Sequence, residues 1–333
     1  MNPALQGLLT IVLGVGGCVG YFYFSNQLLD KVLFPARGEN AGRNINRANM
    51  IRPWLFLFPA LLVLGLYLAY PVVATLWLSL TDRDAGDAFV GGANYAQMFA
   101  EPKFWEAMRN NMLWLVIVPA FSTAFGLLAA QLTDRISWGN IAKSLIFMPM
   151  AISFVGAAVI WKLVYDVRPV DQEQIGILNA FLMALGRAEP VTFLTIPFWN
   201  NLFLMIVLIW IQTGFAMVIL SAALRGIPED TIEAAIIDGA GPFQIFFKIK
   251  VPQIMGTIVV VWTTITIVVL KVFDIVFAMT NGQWETQVLA NYMYDKLFRA
   301  NDWGVGSASA MVIMALVTPI LVWNVMNARK EMR

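Results

Sequence analysis

Seven runs of mostly apolar residues, at approximately 4–24, 53–80, 110–132, 141–165, 200–224, 254–279 and 307–327, decide what this chain can become. About 20 apolar residues in a helix cross a hydrocarbon core. Inside lipid the backbone must pair within a helix or a closed barrel. Barrel strands are short and alternate in polarity; these runs are long and continuous. Of 333 residues, 59% are hydrophobic and 13% are charged. A soluble chain of that length could not bury so much apolar surface. The fold class that follows is an all-α, polytopic membrane protein.

Composition removes several kinds of function. The net charge is +1, so no global field points to nucleic acid. Cys18 is the single cysteine and there is no histidine. An intramolecular disulfide, a Cys-rich metal site, His-based acid–base catalysis and His-ligated metals are therefore excluded. No catalytic residues and no metal ligands are expected. A Gly-x4-Gly-Lys-Ser/Thr phosphate loop is also missing, so the chain carries no ATP site of that kind.

Basic residues set an expected orientation. Lys31, Arg37, Arg43, Arg47 and Arg52 lie between the first two runs. Arg135 and Lys143, then Arg225, Lys248 and Lys250, then Arg329, Lys330 and Arg333 follow on the same side. The opposite side has fewer: Arg83, Lys103 and Arg109, then Arg168 and Arg187, then Lys296 and Arg299. The excess marks the cytoplasmic face. The N-terminus is expected outside and the C-terminus in the cytoplasm.

The first run has no basic residue before it, unlike a signal peptide, and reads as a retained anchor over 1–29. A Gly-rich stretch runs from Gly14 to Gly20, but no strand precedes it and no acidic residue follows at a nucleotide-site spacing. Gly16 and Gly20 fit close helix packing better. Residues 30–52 read as a cytoplasmic linker on the surface, leading to a core over 53–333. The outer loops at 81–109, 166–199 and 281–305 are too short for folded domains. Phe104–Arg109 can extend the third run as helix.

The segment 226–252 is charged and set between two apolar runs. Pro228 suits the first position of a helix, where its missing amide proton costs nothing. Glu229, Asp230 and Glu233 put negative charge near the positive end of the dipole. Gly239 can take a left-handed conformation and end that helix. Gly241-Pro242 starts a second one, and Pro252 breaks the chain before the sixth run. Ile232, Ala235 and Ile236 share one helical face; Phe243, Phe246 and Phe247 repeat the pattern. Periodicity alone leaves two readings open: a partner covers these faces, or they lie on the chain's own membrane or spans.

The spacing Glu233-Ala234-Ala235-x3-Gly239-x9-Ile249-x-Val251-Pro252 resembles the "EAA" loop of permeases in bacterial ATP-binding-cassette (ABC) importers. The family usually has Leu where Val251 stands. The likeness extends over nearly everything after residue 53. Pro59, Tyr70-Pro71 and Ser79, then Phe89-Val90-Gly91 with Asn94-Tyr95, then Asn111, are similar to MalF-like sugar permeases. So are Pro149, Ile152, Ser153 and Trp161, with Tyr165-Asp166 and Gly176 to Asn179. Lys271 to Asp274 and Met279 to Gly282 fit as well, though Gln283-Trp284 replaces the family's Gly-Pro.

This resemblance implies a six-span permease core with one extra N-terminal span, in the bacterial inner membrane. It implies that Glu233, Ala234, Ala235, Asp238, Gly239, Ile249 and Pro252 couple to an ATPase. The implied partners are a second homologous permease, two ATPase subunits that bind ATP and Mg, and a periplasmic sugar-binding protein. Membrane lipid surrounds the chain. The implied substrate is a sugar, most closely an alpha-glucoside.

Polar groups inside the apolar runs are candidates for the sugar path. Lys271 and Asp274 are three residues apart in the sixth run, so they share a face and could pair; they line a path or gate, or form a pair near the outer interface with Lys271 snorkelling. Gln212, Thr213 and Phe215 lie where related permeases contact sugar. An amide or hydroxyl plus an aromatic face suits a sugar ring; helix–helix bonding is the alternative. Trp210 and Trp262 are equally ambiguous with interface anchoring. No run has a central carboxylate, which argues against a proton-coupled carrier. A membrane enzyme would need paired acids or a metal site, and the Glu229–Glu233 cluster fits helix capping better.

Overall fold

The computed structural model describes residues 3–37, 41–82, 86–134 and 136–331, without the side chains at 324–325 and 327–331. Arg83, Arg135 and Arg333, and the side chains of Arg329 and Lys330, lie outside the described residues. The chain divides into two compact units, 1–74 and 75–333.

In the first unit, α1 (Pro3–Gln27) ends in a π-helical turn, Leu28–Leu33, and α2 spans Ala41–Leu64. The Tyr21 hydroxyl donates to the Leu55 carbonyl at 2.8 Å, and Phe22 stacks on Phe56 at 5.3 Å. Arg52 pairs with Asp30 at 2.6 Å. The surface connection expected over 30–52 is helical from Ala41. Gly16 packs on nothing within 4 Å, and Gly20 meets only Phe24 of its own helix, so the close packing expected there has no partner among the described residues.

A π-helical turn, Gly65–Ala69, leads into α3 (Tyr70–Ser79). A proline cannot donate to the carbonyl one turn back and its ring crowds that carbonyl. The widened turn before Pro71 relieves that crowding, and a second one, Phe246–Lys250, precedes Pro252.

In the second unit a two-residue pairing of β1 (Thr81–Asp82) with β2 (Ala88–Phe89) is antiparallel, Thr81 opposite Phe89. Then come α4 (Ala93–Ala100) and α5 (Pro102–Thr133). Pro102 starts α5 at its first turn, where its missing amide proton is harmless, so Phe104–Arg109 do extend the third run.

The fourth run is two helices. α6 (Gly139–Phe147) passes through a 3₁₀ turn, Met148–Ala151, and α7 (Phe154–Val164) leaves at a bend of 106°. Pro149 opens the 3₁₀ turn, Ile152 is extended, and the Ser153 hydroxyl caps α7 by accepting from Gly156 N at 3.1 Å. After α8 (Ile177–Ala184), α9 (Trp199–Arg225) is the most buried span.

α10 (Glu229–Ile237), α11 (Pro242–Ile245) and α12 (Val251–Gln253) form the connection to α13 (Met255–Leu270), bent by 70° at Ile254. α14 (Asp274–Met279), α15 (Leu289–Tyr294) and α16 (Trp303–Glu331) complete the chain. The apolar core lies mainly among α5, α7, α9, α13 and α14. α5 and α9 approach most closely at Gly126: a Cβ there would collide with Ala216 Cβ and stand 2.8 Å from Met217 N. A smaller cluster around Met98, Phe104, Leu289 and Tyr292 holds α4, α15 and the start of α16.

Candidate functional site

The connection 226–252 is a helical elbow that reverses between α10 and α11. Pro228 is the residue before α10, with extended ψ of 133°, and not its first helical position. Glu229 and Asp230 occupy the first turn, where the dipole favours them. Gly239 has φ of +78°, a conformation that a Cβ disfavours. The reversal closes on Gly239 N to Ile236 O at 3.0 Å and Ala240 N to Ala235 O at 2.9 Å. Gln244 Oε1 accepts from Gly241 N at 3.0 Å and fixes the start of α11.

The apolar face expected at Ile232, Ala235 and Ile236 is split by the fold. Ala235 and Ile245 are buried, and Ile232 packs on the chain's own core. The outward surface is instead Ile236, Ile237, Phe243 and Phe247, with Ile237 85% and Phe243 81% exposed. Glu233, Ala234, Asp238, Gly239 and Pro252 lie on that exposed side, and Ile249 is half-buried. The break before the sixth span falls at Ile254, two residues after Pro252. Lys250 Nζ reaches Gln131 Oε1 at 3.3 Å, tying the elbow to the end of α5. Next to it, Lys143 of α6 pairs with Asp134, and the Lys143 amine also donates to Ser221 Oγ of α9 at 2.8 Å.

Gln212 and Phe215 of α9 and Asp274 line one cavity of about 550 Å³, with Ser153 and Thr264. Gln212 is only 7% exposed, yet its amide bonds to no other described residue and opens to the cavity. Its amide atoms are not sealed off but open to the cavity, where they are free to bond a group that is not part of the chain. Thr213 is not part of that cavity. One step along a helix turns the side chain by about 100°, which sets Thr213 in a separate groove with Phe121, Phe125, Trp161 and Trp210. Its hydroxyl is used on Ile209 O at 2.7 Å.

Lys271 and Asp274 do not form the expected pair. α13 ends at Leu270 and α14 starts at Asp274, with Lys271 and Phe273 outside helical geometry. Each charge is stabilised by a helix end of the right sign, Lys271 at a C-terminus and Asp274 at an N-terminus. Both still border a smaller cavity of about 150 Å³ with Phe154 and Phe273. Ser153 and Thr264 complete the larger cavity. The signal for Thr264 was a hydroxyl midway along an apolar run, which helix back-bonding to Val260 O explains equally well. Trp262 lies away from the cavity, on an apolar groove with Trp323.

The turn 281–285 is strained and clamped. Asn281, Gly282, Trp284 and Glu285 all have positive φ. Asn200 Nδ2 donates to Trp284 O at 2.6 Å, Asn201 Nδ2 to Glu285 O at 3.1 Å, and Lys103 Nζ to Gly282 O at 3.1 Å. Beside it, Tyr292 donates to Glu101 at 2.8 Å and Lys296 pairs with the same carboxylate at 2.5 Å. Burial first, and the Glu101 carboxylate second, raise the Tyr292 phenol well above its ordinary range. Among the described residues no group of three Cys, Asp or Glu side chains is arranged to hold a metal.

Residues 122–331 match the family model of the binding-protein-dependent transport system inner membrane component. An alpha-glucoside transport system permease protein of Rhizobium meliloti, AglF, is 63% identical over 99% of both chains. An osmoprotective compounds uptake permease protein of Synechocystis, GgtC, is 48% identical over 83% of this chain and 99% of its own. The fold is similar to a solved chain of a bacterial ABC transporter that imports alginate, with a TM-score of 0.73 and 21% identity, covering 87% of this chain and 99% of that one. The chain therefore belongs to the binding-protein-dependent transport system inner membrane components, the polytopic permease subunits of ABC importers.

Proposed function

We propose that this permease conducts an alpha-glucoside and couples to a separate ATPase through Glu233, Ala234, Ala235, Asp238, Gly239, Ile249 and Pro252. The observation that carries the sugar path is the unpaired Gln212 amide, open to a cavity that Phe215 and Asp274 also line. An amide, a carboxylate and a ring face are what a pyranose uses: hydroxyls for hydrogen bonds and a C–H face for stacking. The alpha-glucoside assignment is supported by the AglF relative at 63% identity.

A second homologous permease supplies the other half of the path. Two ATPase subunits bind ATP and Mg, and a periplasmic sugar-binding protein delivers the substrate. The N-terminus lies in the periplasm and the elbow and C-terminus in the cytoplasm, in accord with the basic residues. Residues 1–29 anchor the chain, 30–52 link, and 53–333 form the core. Closure of the ATPase pair moves the elbow, and the spans switch from inward-facing to outward-facing. Driving a two-state protein from 1:99 to 99:1 takes about 5.5 kcal/mol. A rigid elbow capped by Gly239, with apolar residues exposed for a partner, can carry that load.

The test is purification of the tagged chain in mild detergent, with mass spectrometry and an ATPase assay. An ATPase and a second permease are expected in the eluate, and both the ATPase and its activity should be lost with Glu233→Lys. Gly239→Pro, which forces φ to about −65°, should abolish uptake while the chain still inserts. Recovery of the chain alone, or normal uptake by either variant, overturns the coupling assignment.

A further inference from the structure

Five aromatic rings run in sequence from the candidate sugar cavity to the exposed outer surface. Phe273 adjoins Asp274, which borders the Gln212 cavity. Phe273 stacks on Phe277 with centroids 4.9 Å apart, and Phe277 meets Tyr294 at 5.2 Å. Tyr294 meets Phe298 at 5.1 Å, and Phe298 meets Trp303 at 6.4 Å. The inner rings are half-buried, while Phe298 is 64% exposed. The Arg299 guanidinium lies over Phe277 at 5.7 Å and Tyr294 at 5.8 Å, so a set of hydrogen-bond donors accompanies the rings.

Resting on the sugar-permease reading, we propose that Phe273, Phe277, Tyr294, Phe298 and Trp303 form an aromatic track that hands the sugar from the outer surface to the Gln212 cavity. A pyranose offers apolar C–H faces that stack on rings and hydroxyls that accept from a guanidinium. Conduction needs several adjacent sites, each attractive enough to enter and weak enough to leave. A row of similar ring faces, none enclosing the ligand, provides that. The rings brace one another by stacked, tilted and edge-to-face contacts, so little side-chain freedom is lost when a sugar arrives. Packing alone accounts for the inner rings; it does not account for a row that continues outward to exposed Phe298 and ends inward at a small cavity sharing Asp274 with the cavity of the unpaired Gln212 amide.

The experiment uses the whole importer in proteoliposomes, with saturating maltose-loaded binding protein, and reads maltose moved per ATP hydrolysed. Phe298→Leu and Tyr294→Leu keep apolar bulk and remove the ring; each should lower that ratio at least several-fold. Phe298→Trp should retain it. Co-purification of all subunits checks that each variant assembles. An unchanged ratio in both leucine variants overturns the track. So does a change confined to the binding-protein concentration needed for half-maximal uptake, which would make Phe298 a docking contact. If the wild-type importer moves no maltose, the sugar reading fails and the track fails with it.

Discussion

Asn110 Nδ2 donates to the carbonyl of Glu285 at 2.8 Å, joining the start of α5 to a turn 175 residues later. The same amide reaches Gln287 O at 2.8 Å, so one side chain holds the C-terminal end of the left-handed stretch. Such backbone persists only when its surroundings over-determine it. Asn110→Ala strips the partner from the buried Gln287 carbonyl and leaves Glu285 O with Asn201. A loss of about 1–3 kcal/mol follows, read as a lower melting temperature in detergent. An unchanged melting temperature would mean that Asn200, Asn201 and Lys103 suffice.

Two glycines separate packing from pattern. At Gly126 an added side chain meets Ala216 Cβ and the α9 backbone, whereas at Gly16 it meets nothing within 4 Å. Gly126→Val should cost at least about 1–3 kcal/mol, because backbone must move. Gly16→Val should leave stability of the isolated chain unchanged. Equal effects at both sites, measured by thermal aggregation, would contradict the assigned packing.

Gln212 and Thr213 are neighbours in sequence and face different cavities. Gln212→Ala should raise the KM for sugar uptake at least tenfold, the loss of about 1.4 kcal/mol that one hydrogen-bonding amide supplies. Thr213→Ala should transport normally. Impaired uptake in Thr213→Ala with normal Gln212→Ala would move the path to the other face of α9.

Lys143 sits between α5 and α9, bonded to Asp134 and Ser221 with little exposure. Lys143→Met leaves the Asp134 carboxylate without its cation, and a loss of about 1–3 kcal/mol is expected. Lys143→Met with Asp134→Leu should recover much of it. A double variant no better than the single one, by urea or thermal melts, would show that the ion pair does not hold this corner.

The seven apolar runs, the elbow and its Gly239 reversal were legible in the sequence, because they rest on local chemistry. A bilayer demands long apolar helices, and a left-handed turn demands glycine. Tertiary structure decided which way residues face and where a run breaks. Ile232 and Ala235 share a helical face with Ile236, but only the packed spans place the first two inward and leave Ile236, Ile237 and Phe243 outside. Apolar composition is identical for one bent span and one straight span, so the 106° bend at Ser153 left no trace in hydropathy, and the charges at Lys271 and Asp274 did not say that the helix breaks between them. The asparagine clamp on the turn 281–285 joins residues more than 80 positions apart. No local pattern encodes such a partner; it exists only once α5 and α9 have packed and brought their ends to the same loop.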